Sequence, residues 1–368
     1  MKTLLAALLA AVAPAVFADD IVIGQSVALS GANADIGRDM RDGAQAVFAR
    51  VNASGALGRA IHLVTLDNAN DRKRAADNTL QLLDKHKAVA LFGYSSATAS
   101  LDALPLAARN RVLFFAPFSG SLSLRSHPNV FTIRASYQDE AAKILEAKRE
   151  VGANKTAVLS YDDEVGRSNY EAVAAAHVAA GLPKPPGVLV KRGVALSKAQ
   201  VDALLGSAPH YVFVTTQHPP VADYLKITAD ISSHVPVAAL SFVNPDELAD
   251  GIGGAARGTV VAQVMPAPRA ASHASRPVVK ECADALESFN GAKLNYTSLE
   301  SCLAAKALVV ALKKAGPAKL TREGVLAAMG SLGRVDLNGF VLNYANGNRH
   351  GSSFVDLTIL SRGNRFVR

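Results

Sequence analysis

At 368 residues, 49% of them hydrophobic and 19% charged, the chain can bury large cores and suggests two domains, which excludes intrinsic disorder and low-complexity sequence. Its formal charge of +8 comes from scattered residues such as Arg38, Arg41, Arg50 and Arg72-Lys73-Arg74. No long basic block alternates with aromatics, so the charge describes solvated faces and not a nucleic-acid surface.

Met1-Lys2-Thr3 carries one early positive charge, Leu4 to Val12 is apolar, and Pro14 ends the run. Val16-Phe17-Ala18 then precedes the polar Asp19-Asp20, the three-part pattern of a secretory signal cut after Ala18. The run is too short to span a membrane, which takes about 20 apolar residues. With no Cys at the cut, the expected product is a soluble exported chain, periplasmic in a Gram-negative cell.

Strand and helix signals then alternate. Ile21-Val22-Ile23-Gly24 opens a strand, and Met40, Ala44, Val47 and Val51 predict a helix over 35–51 that Asn52-Ala53-Ser54-Gly55 ends. Strands follow at 61–66, 89–92, 113–116 and 130–133, with helices at 75–85 and 97–109 between them. The rhythm restarts with helices at 138–151, 166–180, 198–205 and 220–231 and strands at 156–160, 188–190, 211–215, 237–240 and 259–262. Short continuous apolar strands separated by amphipathic helices predict an α/β fold of two doubly wound parallel-sheet lobes. Helices at 277–290, 299–315 and 321–329 break the pattern. Phe340-Val341-Leu342 and 354–360, separated by Asn346-Gly347-Asn348, then predict a terminal β-hairpin.

In an open parallel sheet, ligands sit beyond the carboxyl ends of the strands, at helix N-termini whose free N–H groups favour anions. Phe92-Gly93-Tyr94-Ser95-Ser96-Ala97-Thr98 and Phe115-Ala116-Pro117-Phe118-Ser119-Gly120-Ser121 both have this form. Their hydroxyls and small residues suit a carboxylate, although a serine there can also serve simply as a helix cap.

The series Ile21-Val22-Ile23-Gly24, Leu29-Ser30-Gly31, Gly37, Gly43-Ala44, Asp67-Asn68, Gly93, Ala116-Pro117-Phe118-Ser119-Gly120, Arg134-Ala135-Ser136-Tyr137, Glu140 and Asp162-Asp163-Glu164-Val165-Gly166 resembles the branched-chain amino-acid binding proteins of ABC importers. The resemblance covers nearly all of 20–368. It implies a type I periplasmic binding protein, with two lobes joined by three crossover strands that close on a ligand. Lobe one would hold 20–136 and 267–335, and lobe two 137–266 and 336–368, with crossovers near 134–137, 264–268 and 335–339. Ser95, Ser96, Ala97, Thr98, Phe118, Ser119 and Gly120 would grip the ligand from lobe one.

In that family lobe two adds an acid just after the strand at 237–240 and an aromatic elsewhere on its side of the cleft. Here Phe242 stands where the acid is expected and Gln217 where the aromatic is expected. Asp162, Asp163, Glu164 or Glu300 could supply the negative charge, and a ligand without an ammonium is equally compatible. The implied function is capture of a small carboxylate-bearing ligand, an amino acid or related organic acid or amide. Delivery would be to the membrane permease of an ABC importer, by a monomer without cofactor, metal or enzymatic activity.

A ligand-sensing module with a membrane receptor or kinase partner is the second reading. A serine hydrolase is the third, since Gly93-Tyr94-Ser95-Ser96-Ala97 lies between strand and helix with Asp246 and His273 downstream, but no Gly-rich oxyanion segment precedes it. His210 and His218 lack a ligand-forming partner in sequence. Two cysteines exclude a disulfide scaffold and a four-thiolate cluster. Cys282 and Cys302 either pair or pack as small apolar residues.

Overall fold

The computed structural model describes residues 20–31, 33–231, 235–243, 257–361 and 366–367. The expected signal segment and Asp246 lie outside them.

From the N-terminus, β1 (Ile21–Val27), α1 (Ala34–Ala53), β2 (Ile61–Asp67), α2 (Arg72–Asp84), β3 (Ala90–Phe92), α3 (Ala97–Ser100), α4 (Ala103–Arg109), β4 (Leu113–Phe115), α5 (Leu122–Arg125) and β5 (Val130–Phe131) build the first lobe. Its parallel sheet has the order β2-β1-β3-β4-β5. The second lobe follows with α6 (Tyr137–Glu150), β6 (Thr156–Tyr161), α7 (Glu164–Ala179), β7 (Gly187–Val190), α8 (Lys198–Leu205), β8 (Tyr211–Val214), α9 (His218–Asp230), β9 (Val237–Ala239) and β10 (Val260–Gln263). The chain returns to the first lobe with α10 (Pro277–Asn290), α11 (Tyr296–Ala315) and α12 (Arg322–Gly330), and then forms β11 (Arg334–Asp336), β12 (Val341–Asn343), β13 (Asp356–Leu360) and β14 (Phe366–Val367). The second sheet has the order β14-β13-β10-β9-β8-β6-β7, parallel from β7 to β10, with β13 and β14 antiparallel at its edge.

The buried strands explain the architecture. β3 and β4 read Ala-Leu-Phe and Leu-Phe-Phe and are buried on both faces. One face packs under α1, α10, α11 and α12, with Phe48, Phe92, Phe115, Leu303 and Leu308 in that core, and the other under α2 and α4 with Leu82, Leu104 and Phe114. The Cys282–Cys302 disulfide joins α10 to α11 with Cα atoms 6.0 Å apart. Among the described residues no helix is long and apolar enough to cross a membrane.

Two expectations are corrected. The predicted helix over 97–109 is two short helices broken at Leu101-Asp102. Pro105 has no N–H to bond the carbonyl four residues back, so it is accommodated in the first turn of a new helix. The predicted terminal hairpin does not form either. β12 pairs with β11, whereas β13 pairs with β10 in the other sheet. Leu337, Phe340, Leu342 and Tyr344 are buried in the first-lobe core, and Tyr344 packs against Phe131 with ring centroids 6.2 Å apart. The chain therefore returns to the second sheet only after Tyr344, not at 335–339.

Candidate functional site

Both sheets reverse strand order between an early pair, β1/β3 in one and β6/β8 in the other. A crevice opens at such a switch point because neighbouring connections leave in opposite directions. The loops from these points face each other and make a cleft with two compartments. Ser95, Ser96, Ala97 and Thr98 after β3 line the mouth-side compartment with Tyr161, Asn169, Arg192, Thr215 and Gln217 of the second lobe. Arg134, Ser241, Gln263, Asp39 and Glu300 line the hinge-side compartment. Ile36, Phe118 and Phe242 line both, so the two meet at an apolar waist. Each has a volume of about 50 Å³, room for a small polar group or a few waters.

Local geometry fixes the mouth side. Gly93 adopts a left-handed φ of 59°, turning the chain out of β3 toward the cleft. The Ser95 hydroxyl accepts a hydrogen bond from the Ala28 N–H at 3.2 Å, tying this loop to the end of β1. The Ser96 hydroxyl caps α3 by accepting from the Ala99 N–H at 3.3 Å. The Phe118 N–H donates to the Tyr94 carbonyl at 2.8 Å, which joins the loops after β3 and β4. Across the cleft, Arg192 lies 3.8 Å from the Tyr161 ring centroid and donates to Asp163 at 2.5 Å. Asn169 is buried, and its Oδ1 has no hydrogen-bond partner among the described residues.

The hinge side is a buried charge network. The Arg134 guanidinium is 1% exposed and lies 4.6 Å from the Phe118 ring centroid. Its Nη2 donates to the Ser241 hydroxyl, and its Nε is 3.5 Å from Oε1 of Glu300, an ion pair without a hydrogen bond. Ser241 donates through its N–H and hydroxyl to the two Glu140 oxygens at 2.7 and 2.9 Å. Burial works against the charge on Arg134, but the nearby Glu300, Tyr137 and Glu140 outweigh it and hold the guanidinium above its ordinary value. Burial pushes the Glu140 carboxyl up to about 7 despite Arg134 and Ser241. Burial also raises Glu300, because Arg134 is shared with the Ser241–Glu140 side and offsets only part of the desolvation. Asp39 is raised by burial as well, while Asn295 donates to it at 2.7 Å.

The sequence signature described as periplasmic binding protein matches residues 20–353. The chain belongs to the periplasmic binding protein family. A possible leucine/isoleucine/valine-binding protein from Rhodopirellula baltica superposes with a TM-score of 0.87 at 25% identity, covering 96% of this chain and 97% of that one. A substrate-binding periplasmic protein from Ralstonia solanacearum gives 0.84 at 28% identity, covering 94% and 98%. An amino acid binding protein from Pseudomonas aeruginosa is 24% identical over 239 residues, and the match spans 64% of each chain. Family members of this kind are solute-binding proteins and not enzymes. The fold is the type I arrangement that the order of sequence motifs implied.

Of the residues singled out from sequence, Ser95, Ser96, Ala97, Thr98, Phe118, Gln217 and Phe242 lie on the mouth-side wall, and Glu300 on the hinge-side wall. Ser119 lies beneath the wall, its hydroxyl 3.3 Å from the Tyr137 hydroxyl and accepting from the Ser121 N–H at 3.1 Å. Gly120 is packed against Tyr137 and Ala135, where a Cβ would come within 2.7 Å of the Tyr137 ring. Asp163 caps α7 and pairs with Arg192. Asp162 and Glu164 face Arg167 and Arg72. None of these last five lines either compartment, so of the four acids weighed from sequence only Glu300 does.

Arg134, Arg192, Asp39 and Asn169 were not singled out as site residues. The available signal was a lone arginine directly after the apolar strand Val130–Ile133, at a crossover where burial demands a partner for the charge. Among the described residues no histidine lines either compartment, and the Ser95 hydroxyl accepts from the Ala28 N–H. Among the described residues no group of three potential ligands could hold a metal ion.

Proposed function

We propose that the chain is exported to the periplasm, where as a monomer it captures a small carboxylate-bearing ligand, an amino acid or related organic acid or amide, between its lobes. It then delivers the ligand to the membrane permease of an ABC importer. The observation that carries this reading is that both lobes direct their switch-point loops into one cleft, so closure surrounds a ligand with groups from each. The first N–H groups of α3, at Ala97 and Thr98, have no intrahelical partners, and both residues line the mouth-side compartment. With Arg192 and Gln217 opposite, they form a donor set suited to a carboxylate, while Phe118 and Phe242 enclose an apolar body. The names of the Rhodopirellula baltica and Pseudomonas aeruginosa relatives support an amino-acid-like ligand, and the Cys282–Cys302 disulfide suits an oxidising compartment.

Mass spectrometry of small molecules released on denaturing the purified protein tests this reading. A carboxylate that rebinds with micromolar affinity and contracts the particle in small-angle scattering supports it. Thr98→Ala should weaken that binding roughly 10-fold or more, the effect of losing a hydrogen bond to a charged group. A released ligand with no acidic group would overturn it.

A further inference from the structure

The hinge-side compartment contains polar atoms that folding leaves unmatched. Arg134 and Glu300 are 1% and 3% exposed, and both line this cavity. Nε and Nη1 of Arg134 and Oε1 of Glu300 have no hydrogen-bond partner among the described residues. Buried donors and acceptors are normally satisfied, and leaving a charged one unmatched is costly. Here unmatched donors and an unmatched acceptor face the same small space, with their charges balanced against each other.

We infer that this compartment is a second ligand subsite, which takes a net-neutral group presenting an acceptor and a donor side by side, of the carboxamide type. The inference rests on the reading that the mouth side holds a carboxylate, and it makes the ligand polar at both ends with a short apolar middle at the waist of Ile36, Phe118 and Phe242. A carboxamide oxygen accepts from Arg134, and its N–H donates to Glu300. A second carboxylate there meets Glu300 and Asp39, whereas an ammonium meets Arg134. Either charged group satisfies one partner and is repelled by the other. An alkyl end satisfies neither and leaves both ions desolvated.

Four probes of equal chain length separate these cases by calorimetry on ligand-stripped, refolded wild-type protein: valerate, glutaramate, glutarate and δ-aminovalerate. Glutaramate should bind at least 10-fold more tightly than each of the others, since it alone satisfies both partners. Glu300→Gln should narrow or reverse the preference for glutaramate over glutarate, because it removes the repelling charge and replaces one acceptor oxygen with a donor NH2. Valerate binding as tightly as glutaramate, or glutarate or δ-aminovalerate binding more tightly, overturns the subsite while leaving carboxylate capture in place. If none of the four binds while the carboxylate released from the purified protein does, the subsite falls and carboxylate capture stands; if that carboxylate fails as well, both fall. The wild-type ranking needs no variant to fold.

Discussion

Glu140 offers a direct measurement of the buried network. Its carboxyl is fully enclosed and pushed up from an ordinary 4.5 to about 7, with burial as the largest cause. Below about pH 4.5 the group is protonated in both the folded and the unfolded chain and contributes no difference. Between there and about 7 the folded chain keeps the proton that the unfolded chain releases, so stability falls as pH rises. Above about 7 both states are ionised and the folded chain carries the whole desolvation cost. A rise from 4.5 to about 7 corresponds to roughly 3 kcal/mol. Asp39 and Glu300 act in the same direction, whereas Asp67, Asp102, Glu281 and Asp284, whose carboxyls are lowered, act in the opposite one. The comparison must therefore be between wild type and Glu140→Gln at each pH, so that these other contributions largely cancel. Urea unfolding at about pH 4.5, 6 and 8 should show Glu140→Gln gaining on wild type by roughly 3 kcal/mol across the range. A difference between the two proteins that stays constant to within about 0.5 kcal/mol would refute the claim that Glu140 is buried at the expense of its charge.

Reducing the Cys282–Cys302 bond, which closes a 20-residue separation, should cost about 3 kcal/mol in urea unfolding, and a thiol assay on the unreduced, denatured chain should find no free cysteine. Gly37→Ala should destabilise by about 1–3 kcal/mol in the same assay, because a Cβ there would come within 1.8 Å of the Ala28 carbonyl oxygen and push α1 off the end of β1; an unchanged midpoint would show that the helix has room to move.

The elements that could be read from sequence are those whose signal is local. The apolar runs of β1, β3, β4, β6 and β8 and the helical periodicity of α1 state their own burial. The loops after β3 and β4 could be placed at the cleft because strand-to-helix connections in a doubly wound sheet leave only one end for ligands. What could not be read depends on distant partners. Phe340–Leu342 and Phe354–Leu360 look like the arms of a hairpin because they are close in sequence and alternate suitably. The first arm is claimed by the first-lobe core and the second by β10, and neither preference shows in the residues themselves. The break in 97–109 did have a local signal in Pro105, which the apolar spacing around it obscured. Arg134 could be seen as part of a motif, but its role depends on Ser241 and Glu300, which are brought to it only by the two lobes folding against the crossover.

That position gives Arg134 its significance. It stands on the first crossover and stacks on Phe118 from the loop after β4. It donates to Ser241 from the loop after β9 and faces Glu300 on α11. The same crossover is held on its far side, where Arg125 donates to the Thr132 hydroxyl and the Arg134 carbonyl, each at 3.0 Å. The Tyr344 hydroxyl donates to the Thr132 carbonyl, and the Thr132 N–H donates to the Arg349 carbonyl. A buried ion pair is weak evidence for stability, since desolvation can cancel its attraction. A pair left with unmatched atoms is less favourable still, unless something else completes it. Glu140 and Ser241 fix one side of the guanidinium, and the Phe118 ring fixes its face, so its free donors are held in place before any ligand arrives. Such preorganisation turns a cost of folding into binding energy, because the group that enters the cleft has no flexible side chain to immobilise and satisfies atoms already stripped of water.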